Sequence, residues 1–196
     1  MKILIACEYS GIVRDAFSEK GHNVMSCDLL PTDRPGKHYQ GDVRDILEDK
    51  WDLIIAHPPC TFFTNSGVRW LHEDPSRWAK LDAAAEFFNL FLDNKCKKIA
   101  IENPVPHKYA IERINGRKYT QTIQPYEFGH PESKRTCLWL KGLPKLKETN
   151  NVKDKFLKLP KKQAQRIHYI PPSKDRWKIR STTFSGIAQA MADQWG

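Results

Sequence analysis

The sequence predicts an α/β fold in which a mostly parallel central sheet is covered by helices on both faces. Short apolar runs at residues 2–7, 53–56 and 97–101 have the length and aliphatic content of buried strands. Residues 12–21 and 76–94 space their apolar side chains as amphipathic helices do. Strands that alternate with helices are typical of βαβ units, which predicts a Rossmann-like sheet.

The first βαβ unit has the form of a nucleoside-binding unit. Its strand at 2–7 leads through a turn at 8–11 into the helix, and the second strand, 23–28, ends in Asp28. A carboxylate in this place can accept hydrogen bonds from both hydroxyls of a ribose, although an isolated Asp at a strand end is usually only a turn residue. Asp42, near the end of a third strand, could accept a bond from an adenine amino group.

A cysteine follows the buried strand at 53–56, in the stretch His57-Pro58-Pro59-Cys60. Two prolines cannot continue a strand ladder or enter a helix interior, so the strand stops abruptly and Cys60 lies in a stiff loop. The carboxyl edge of such a sheet is where ligands bind. Cys60 is therefore a candidate nucleophile, with a half-buried structural thiol as the alternative.

A carboxylate follows the strand at 97–101, in Glu102-Asn103-Pro104. We expect Pro104 to stop this strand just past Glu102, so that a thiol and a carboxylic acid from neighbouring strand ends face one crevice. Burial beside a crevice can raise the pKa of a carboxyl group and make it a proton donor, whereas a strand-end acid is more often solvated.

Composition places the chain among ordinary globular proteins. It has 196 residues, of which 40% are hydrophobic and 28% charged, and its net charge of +9 favours a polyanionic partner. No apolar run is long enough to span a membrane. The five cysteines are spread without a C-x-x-C pair, which predicts free thiols in a reducing cytoplasm and neither a zinc site nor disulfides.

The interval 141–180 is rich in Lys and Arg with Tyr169, Trp177 and four prolines interleaved. Its low apolar content predicts a loop-rich insert with one short helix near 161–167. Basic residues with a few aromatics suit phosphate contacts and base stacking, and a solvated, mobile surface is the alternative. The candidate nucleic-acid-binding residues of the chain are Arg69, Lys174, Arg176, Trp177, Lys178 and Arg180.

Glu102-Asn103 completes a pattern in which the chain resembles the DNA cytosine carbon-5 methyltransferases, and within them short phage-type members. Pro58-Pro59-Cys60 is similar to the family's Pro-Cys nucleophile motif, and Glu102-Asn103 to its Glu-Asn motif. Tyr9-Ser10-Gly11 matches the start of the cofactor-binding motif. Residues 128–136 resemble the Gln-x-Arg-x-Arg motif, and residues 185–192 the last motif, a helix that returns to the cofactor.

The resemblance implies a single methyltransferase domain over residues 1–196 with the fold of S-adenosylmethionine-dependent methyltransferases. It implies S-adenosylmethionine as cofactor, DNA as partner, and a bacterial or phage-infected cytoplasm. The catalytic residues that it implies are Cys60, Glu102, Lys134 and Arg135. The cofactor-binding residues that it implies are Glu8, Tyr9, Ser10, Gly11, Asp28, Leu29, Asp42, Val43, Pro58 and Ser185.

The sequence departs from the family pattern in four places. Gly11 is not followed by a second glycine pair, and the last motif lacks its usual asparagine. Glu132, Lys134 and Thr136 stand where the family has Gln, Arg and Arg, so either Lys134 takes over that work or Arg135 acts in a shifted register. The interval between Leu140 and Ser185 is too short for the family's sequence-reading domain.

Three functions therefore stay open at this point. The first is cytosine carbon-5 methylation of DNA with little or external sequence selection. The second is methylation of a pyrimidine in a free nucleotide or RNA, which the missing reading domain favours. The third is a non-catalytic module that binds the cofactor or DNA.

Overall fold

One seven-stranded sheet forms the centre of the protein, for which a computed structural model describes residues 1–196. In chain order the strands are β1 (Lys2–Ala6), β2 (Asn23–Asp28), β3 (His38–Gln40), β4 (Leu53–Ala56), β5 (Ile99–Pro104), β6 (Gln121–Ile123) and β7 (Thr136–Lys141). Their order across the sheet is β3-β2-β1-β4-β5-β7-β6. Only β7 runs antiparallel to its neighbours. The expected fold class is confirmed: the sheet is mostly parallel and Rossmann-like, with helices on both faces.

Nine helices accompany the sheet. In chain order they are α1 (Ile12–Glu19), α2 (Trp70–Glu73), α3 (Ser76–Leu92), α4 (Lys108–Arg113), α5 (Lys153–Lys158), α6 (Lys161–Ala164), α7 (Arg166–Tyr169), α8 (Arg176–Ser181) and α9 (Ser185–Trp195). The interval 141–180, expected to hold one short helix, contains α5 to α7 and most of α8. None of the helices combines the length and the apolar character that crossing a bilayer requires.

The two faces of the sheet carry separate cores, because alternate strand residues point to opposite sides. On β1, Ile3 and Ile5 pack with α1 and α9, whereas Leu4 and Ala6 belong to the core that α3 and α4 cover. All four side chains are completely buried. Burial on both faces explains why the central strands read as continuous apolar runs.

Strand β5 ends at Pro104, as the sequence predicts, and it includes Glu102. Antiparallel β7 pairs with β5 through Glu102, Asn103 and Pro104, whose partners are Leu138, Cys137 and Thr136. Pro104 is tolerated because it is the last residue of the strand, where its missing N–H costs little. Glu102 thus belongs to the sheet, and the pleat sets the direction of its side chain.

A buried arginine holds the loop after β2 against α1. The Arg14 side chain is 1% exposed. Its Nη1 donates to the hydroxyls of Ser26 and Thr32 at 3.2 and 3.1 Å, and its Nη2 donates to the carbonyls of Arg34 and Pro35 at 3.1 and 3.0 Å. No sequence pattern marks Arg14, because these four partners lie more than ten residues away along the chain.

Replacing Arg14 by Met is expected to lower the free energy of unfolding by about 2–4 kcal/mol, because it removes four charge-assisted hydrogen bonds of a buried guanidinium and a partner of the Asp15 carboxylate. Urea unfolding measures this change. Arg34→Met is the matched control, since the Arg34 side chain is 52% exposed and forms only a surface ion pair with Asp15. Equal losses in the two variants would contradict the role given to Arg14.

Candidate active site

A pocket opens at the carboxyl ends of β1, β4 and β5. It is lined by residues 7–10, 57–60, 102–104 and 180–183, together with Lys134. The first three segments follow or end neighbouring strands of the sheet, and the fourth is the end of α8 and the turn into α9. Two predicted catalytic residues from different strand ends, Cys60 and Glu102, therefore face the same space.

The Cys60 loop is held at both ends by hydrogen bonds. The His57 N–H donates to the carbonyl of Ala6 at 2.9 Å, and Asn103 Nδ2 donates to the carbonyl of Pro58 at 2.8 Å. The carbonyl of Cys60 accepts from the Phe63 N–H at 3.0 Å. Of the five cysteines, all free, Cys60 alone is exposed. The two prolines and Asn103 thus present one thiol at the mouth of the pocket.

Glu102 is held by a histidine from the next strand end. The side chain of Glu102 is 11% exposed, and His57 Nδ1 lies 2.7 Å from its Oε2. Burial alone raises the pKa of Glu102, but the hydrogen bond from His57 and the charge of Lys134 outweigh it and hold this pKa below its ordinary value. The carboxyl group is thus ionised at neutral pH, contrary to the expected proton donor with a raised pKa.

The thiol of Cys60 is affected in the opposite direction. Although the residue is exposed, the surrounding protein desolvates its sulfur, and this together with the negative charge of Glu102 raises the pKa of Cys60. The cations of Lys134 and Arg180 lower the pKa of Cys60 but do not cancel the increase. Cys60 is therefore mainly a thiol at neutral pH, and an attack by its sulfur requires a base.

The structure distinguishes the two candidates for the second basic group. Lys134 lines the pocket, and its Nζ donates to the carbonyl of Thr182 at 3.4 Å. Arg135 is exposed and lies outside the pocket. The position of Lys134 favours the unshifted register.

The turn between β1 and α1 contains the first group of predicted cofactor residues. Glu8, Tyr9 and Ser10 line the pocket. Gly11 has a left-handed φ of +72°, and a Cβ there would lie 2.5 Å from Arg14 Nη2. Glycine is thus the residue that this turn accommodates.

The carboxylate of Glu8 occupies the N-terminal end of α1. Glu8 is 4% exposed; its Oε1 accepts from the Val13 N–H at 2.7 Å and its Oε2 from the Arg14 N–H at 3.2 Å. In dinucleotide-binding folds these N–H groups bind the pyrophosphate. An internal carboxylate repels such an anion, so this turn suits a nucleoside that carries no phosphate.

The other predicted cofactor residues lie along the edge of the sheet, outside the pocket. Asp28 ends β2, where burial raises its pKa although its Oδ1 accepts from the Leu30 N–H. Asp42 follows β3 and pairs with Arg44 at 3.0 Å. Leu29 is 72% exposed, whereas Val43 is buried in the core, so Val43 can offer a ligand only its backbone.

Pro58 lines the pocket, but Ser185 does not. The hydroxyl of Ser185 is exposed and lies 3.5 Å from His130 Nε2. The residues that reach the pocket from this part of the chain are Thr182 and Thr183, because α9 begins at Ser185 and turns away toward α1. The expectation that Ser185 contacts the cofactor receives no support from this placement.

The predicted nucleic-acid-binding residues lie in three places. Trp177 and Lys178 pack on Tyr9: the two rings are 5.5 Å apart, and the Tyr9 hydroxyl donates to the carbonyl of Lys178 at 3.0 Å. Arg180 lines the pocket. Lys174 is exposed and Arg176 half-buried. Arg69, also exposed, places its guanidinium 4.4 Å from the ring centre of Trp70.

Two residues of the site, His57 and Asn103, have contacts that no sequence pattern predicted. Parallel β4 and β5 pair Ala56 with Ile101, so the next positions, His57 and Glu102, are neighbours. Both strands were predicted, so a polar residue immediately after each apolar run was an available signal. The side chains grouped here do not form a metal centre, and no cluster of three His, Cys, Asp or Glu residues occurs elsewhere.

Comparisons with models of known protein families and with curated proteins find no match. Among solved structures, the chain is similar to a candidate DNA modification methyltransferase encoded within a prophage of E. coli, with 16% identity, coverage of 82% of this chain and 56% of that chain, and a TM-score of 0.46. It is also similar to WbdD in complex with the kinase inhibitor LY294002, with 12% identity and a TM-score of 0.42. This match covers 72% of this chain and 36% of that chain. The chain thus spans about half of the first protein and about a third of the second.

The opposed charges around Cys60 predict opposite effects of two substitutions. Glu102→Gln removes a negative charge and is expected to lower the pKa of Cys60, whereas Lys134→Met removes a positive charge and is expected to raise it. The pH dependence of Cys60 alkylation by iodoacetamide, followed by peptide mass spectrometry, measures both shifts. Cys60→Ser identifies the labelled peptide. Shifts in the same direction would contradict this electrostatic account.

Proposed function

We propose that this protein transfers a methyl group from S-adenosylmethionine to carbon 5 of cytosine in DNA, with Cys60 forming a covalent bond to the base. The observation that carries the proposal is the grouping of Cys60, Glu102 and Lys134 around one pocket at the sheet edge. A nucleophile, a carboxylate and a cation are the three groups that activation of a pyrimidine requires. The Pro-Pro-Cys and Glu-Asn motifs resemble those of the DNA cytosine carbon-5 methyltransferases, and this resemblance suggests methyl transfer as the reaction.

The thiol is needed because carbon 5 of cytosine is too weak a nucleophile to attack a methyl sulfonium. Addition of the Cys60 sulfur at carbon 6 converts the ring into an enamine, whose carbon 5 is nucleophilic. Loss of the carbon 5 proton and departure of the sulfur then restore the aromatic ring. The exposure of Cys60 at the end of a rigid loop suits attack on a base that enters from outside.

Glu102 and Lys134 act on the polar edge of the ring in this proposal. The ionised carboxylate of Glu102 accepts a hydrogen bond from the exocyclic amine, and the carboxyl group faces ring nitrogen 3. Lys134 faces both Glu102 and Cys60, whose pKa values its charge lowers. Lys134 therefore stabilises the negative charge on either group as the proton leaves the sulfur.

The turn after β1 and the ends of β2 and β3 suit S-adenosylmethionine, which would supply the methyl group as an electrophilic sulfonium substituent. Glu8 blocks the phosphate position at α1, and the proposed ligand carries no phosphate. Asp28 is placed to accept the ribose hydroxyls. The backbones of Leu29 and Val43 and the side chain of Asp42 would surround the adenine.

DNA is the proposed macromolecular substrate because basic side chains border the pocket. Lys134 and Arg180 line the pocket, Lys178 lies on the same helix as Arg180, and the chain carries a net charge of +9. In a duplex the cytosine must leave the stack to reach Cys60, at a cost of a few kcal/mol that phosphate contacts offset. Lys174, Arg176, Trp177 and the more distant Arg69 are the further candidates for such contacts.

A second candidate function is methylation of a pyrimidine in a free nucleotide or in RNA. The observation that favours it is the structure of the interval 141–180, whose helices are all four to six residues long. Such short helices do not form the separate module with which a protein reads a DNA groove. Arg180 would then bind the phosphate of a single nucleotide.

Cys60→Ser is expected to lower methyl transfer by about 10³-fold or more while changing the affinity for S-adenosylmethionine less than about twofold, because a hydroxyl is a far weaker nucleophile. Methyl transfer from a radiolabelled donor and titration calorimetry measure the two quantities. Cys96→Ser, at a half-buried thiol before β5, is the matched control. Undiminished turnover in Cys60→Ser would contradict the covalent mechanism.

The dependence of activity on salt is expected to distinguish DNA from a free nucleotide. For a substrate held by several phosphate contacts, kcat/KM should fall by about 10³-fold or more between about 50 and 200 mM salt, and Lys174→Gln should reduce the logarithmic slope by about 1. Lys97→Gln, at the opposite edge of the sheet, is the control. Salt-independent turnover of dCMP without activity on DNA would favour the second candidate.

A further inference from the structure

His57 has an unused side-chain nitrogen. The imidazole is 9% exposed, and its Nδ1 lies 2.7 Å from Glu102 Oε2. Its Nε2 is completely buried and has no hydrogen-bond partner. A buried polar atom without a partner costs about 1–3 kcal/mol, so its retention in a pocket calls for an explanation. A side chain of the pocket that turns onto this nitrogen during the reaction would provide one.

In the resting pocket, Cys60 carries the proton that the proposed reaction needs at nitrogen 3 of the pyrimidine. Cys60 holds its proton, since desolvation and the charge of Glu102 raise its pKa, whereas Glu102 is ionised and has no proton to donate. Addition of sulfur to carbon 6 requires the reverse, because the sulfur must lose a proton while ring nitrogen 3 gains one. The site needs a group that connects these two positions.

His57 shares the pocket lining with Cys60 and contacts Glu102. It lines the same pocket as Cys60, from which only Pro58 and Pro59 separate it along the chain, and its other nitrogen is bonded to Glu102. The other charged groups that face this space are Lys134 and Arg180, which are cations, and Glu8, whose carboxylate is engaged by the N–H groups of α1. None of these three can serve as the base.

We propose that the Cys60 side chain turns onto the buried Nε2 of His57, that this nitrogen accepts the thiol proton, and that the His57–Glu102 pair delivers a proton to nitrogen 3 of the pyrimidine ring. The inference rests on the proposed function and adds a general base to it. The S–H bond breaks, and the freed sulfur electron pair forms the bond to carbon 6. The ring π electrons move to nitrogen 3, which takes a proton from the carboxyl group of Glu102.

The proton count of this step balances without any further reactant. Glu102 recovers its proton from His57 Nδ1 as it releases one to nitrogen 3, so it ends as the carboxylate with which it began. His57 gains a proton at Nε2 and loses one at Nδ1, and therefore only changes tautomer. When the sulfur leaves, the same path operates in reverse, while the proton from carbon 5 goes to solvent.

Two variants of His57 separate a proton relay from simple positioning. His57→Asn places an amide nitrogen where Nδ1 lies, so it retains a donor to Glu102 but has nothing in place of Nε2. His57→Ala removes both nitrogens and leaves room for free imidazole. His22→Asn, at the opposite edge of the sheet, is the matched control.

The experiment follows covalent trapping of a DNA duplex that contains 5-fluorocytosine, under single-turnover conditions with S-adenosylmethionine. We expect His57→Asn to trap about 10²–10⁴-fold more slowly than the wild type with an unchanged affinity for the cofactor. We expect added imidazole to restore part of the rate in His57→Ala, with a pH dependence that follows unprotonated imidazole. His22→Asn should behave as the wild type does.

Each contrary outcome has a separate meaning. Trapping by His57→Asn at the wild-type rate would overturn the relay and leave the proposed function intact. Slow trapping by both variants with no response to imidazole would assign His57 a positioning role and overturn its role as a base. Failure of the wild-type protein to trap any DNA would overturn the proposed function, and the relay with it.

Discussion

The parallel pairing of β4 and β5 is the constraint on which the candidate site depends. Ala56 pairs with Ile101, and this register brings His57 beside Glu102 and starts the Cys60 loop at the same edge of the sheet. Side chains alternate between the two faces of a sheet, so a slip of one residue in β5 would turn Glu102 away from His57. Strand β7 opposes such a slip because it extends the pairing of β5 through Glu102 to Pro104.

The electrostatics of the pocket follow from the same arrangement. His57 and Lys134 keep Glu102 ionised, and the resulting negative charge disfavours the thiolate of Cys60. The carboxylate that is suited to bind the amine of a pyrimidine therefore keeps Cys60 protonated, and so unreactive, while no pyrimidine occupies the pocket. In the proposed reaction, the amine of the pyrimidine donates a hydrogen bond to Glu102 and a proton passes through its carboxyl group. Both would reduce the effect of the negative charge of Glu102 on the Cys60 sulfur. Cys60 would then become more reactive only after a pyrimidine has entered the pocket.

Much of this arrangement could be predicted from the sequence, because it depends on local patterns. The apolar runs and the prolines that follow them predicted the central strands, and hence that Cys60 and Glu102 would share an edge. The antiparallel pairing of β5 with β7 could not be predicted in this way, because β7 begins more than thirty residues after β5 ends. Arg14 was missed for the same reason. The sequence could not show whether Lys134 or Arg135 enters the pocket. The stretch before β7 has no periodic pattern of apolar residues that would indicate which side chain points inward.

The end of the basic interval 141–180 contacts the turn between β1 and α1, in which cofactor-binding residues are predicted. The sequence did not indicate this contact. Tyr9 packs on Trp177 and bonds to the carbonyl of Lys178, while Lys134 donates to the carbonyl of Thr182. The segment 177–183 is thus attached to the cofactor turn on one side and to Lys134 on the other. In the proposed function, a phosphate bound by Lys178 or Arg180 would act on a segment that contacts both. Substrate binding and the geometry around Glu102 would then be coupled through two backbone carbonyls and the ring of Trp177, so of the side chains in this segment Trp177 is the one on which the coupling depends.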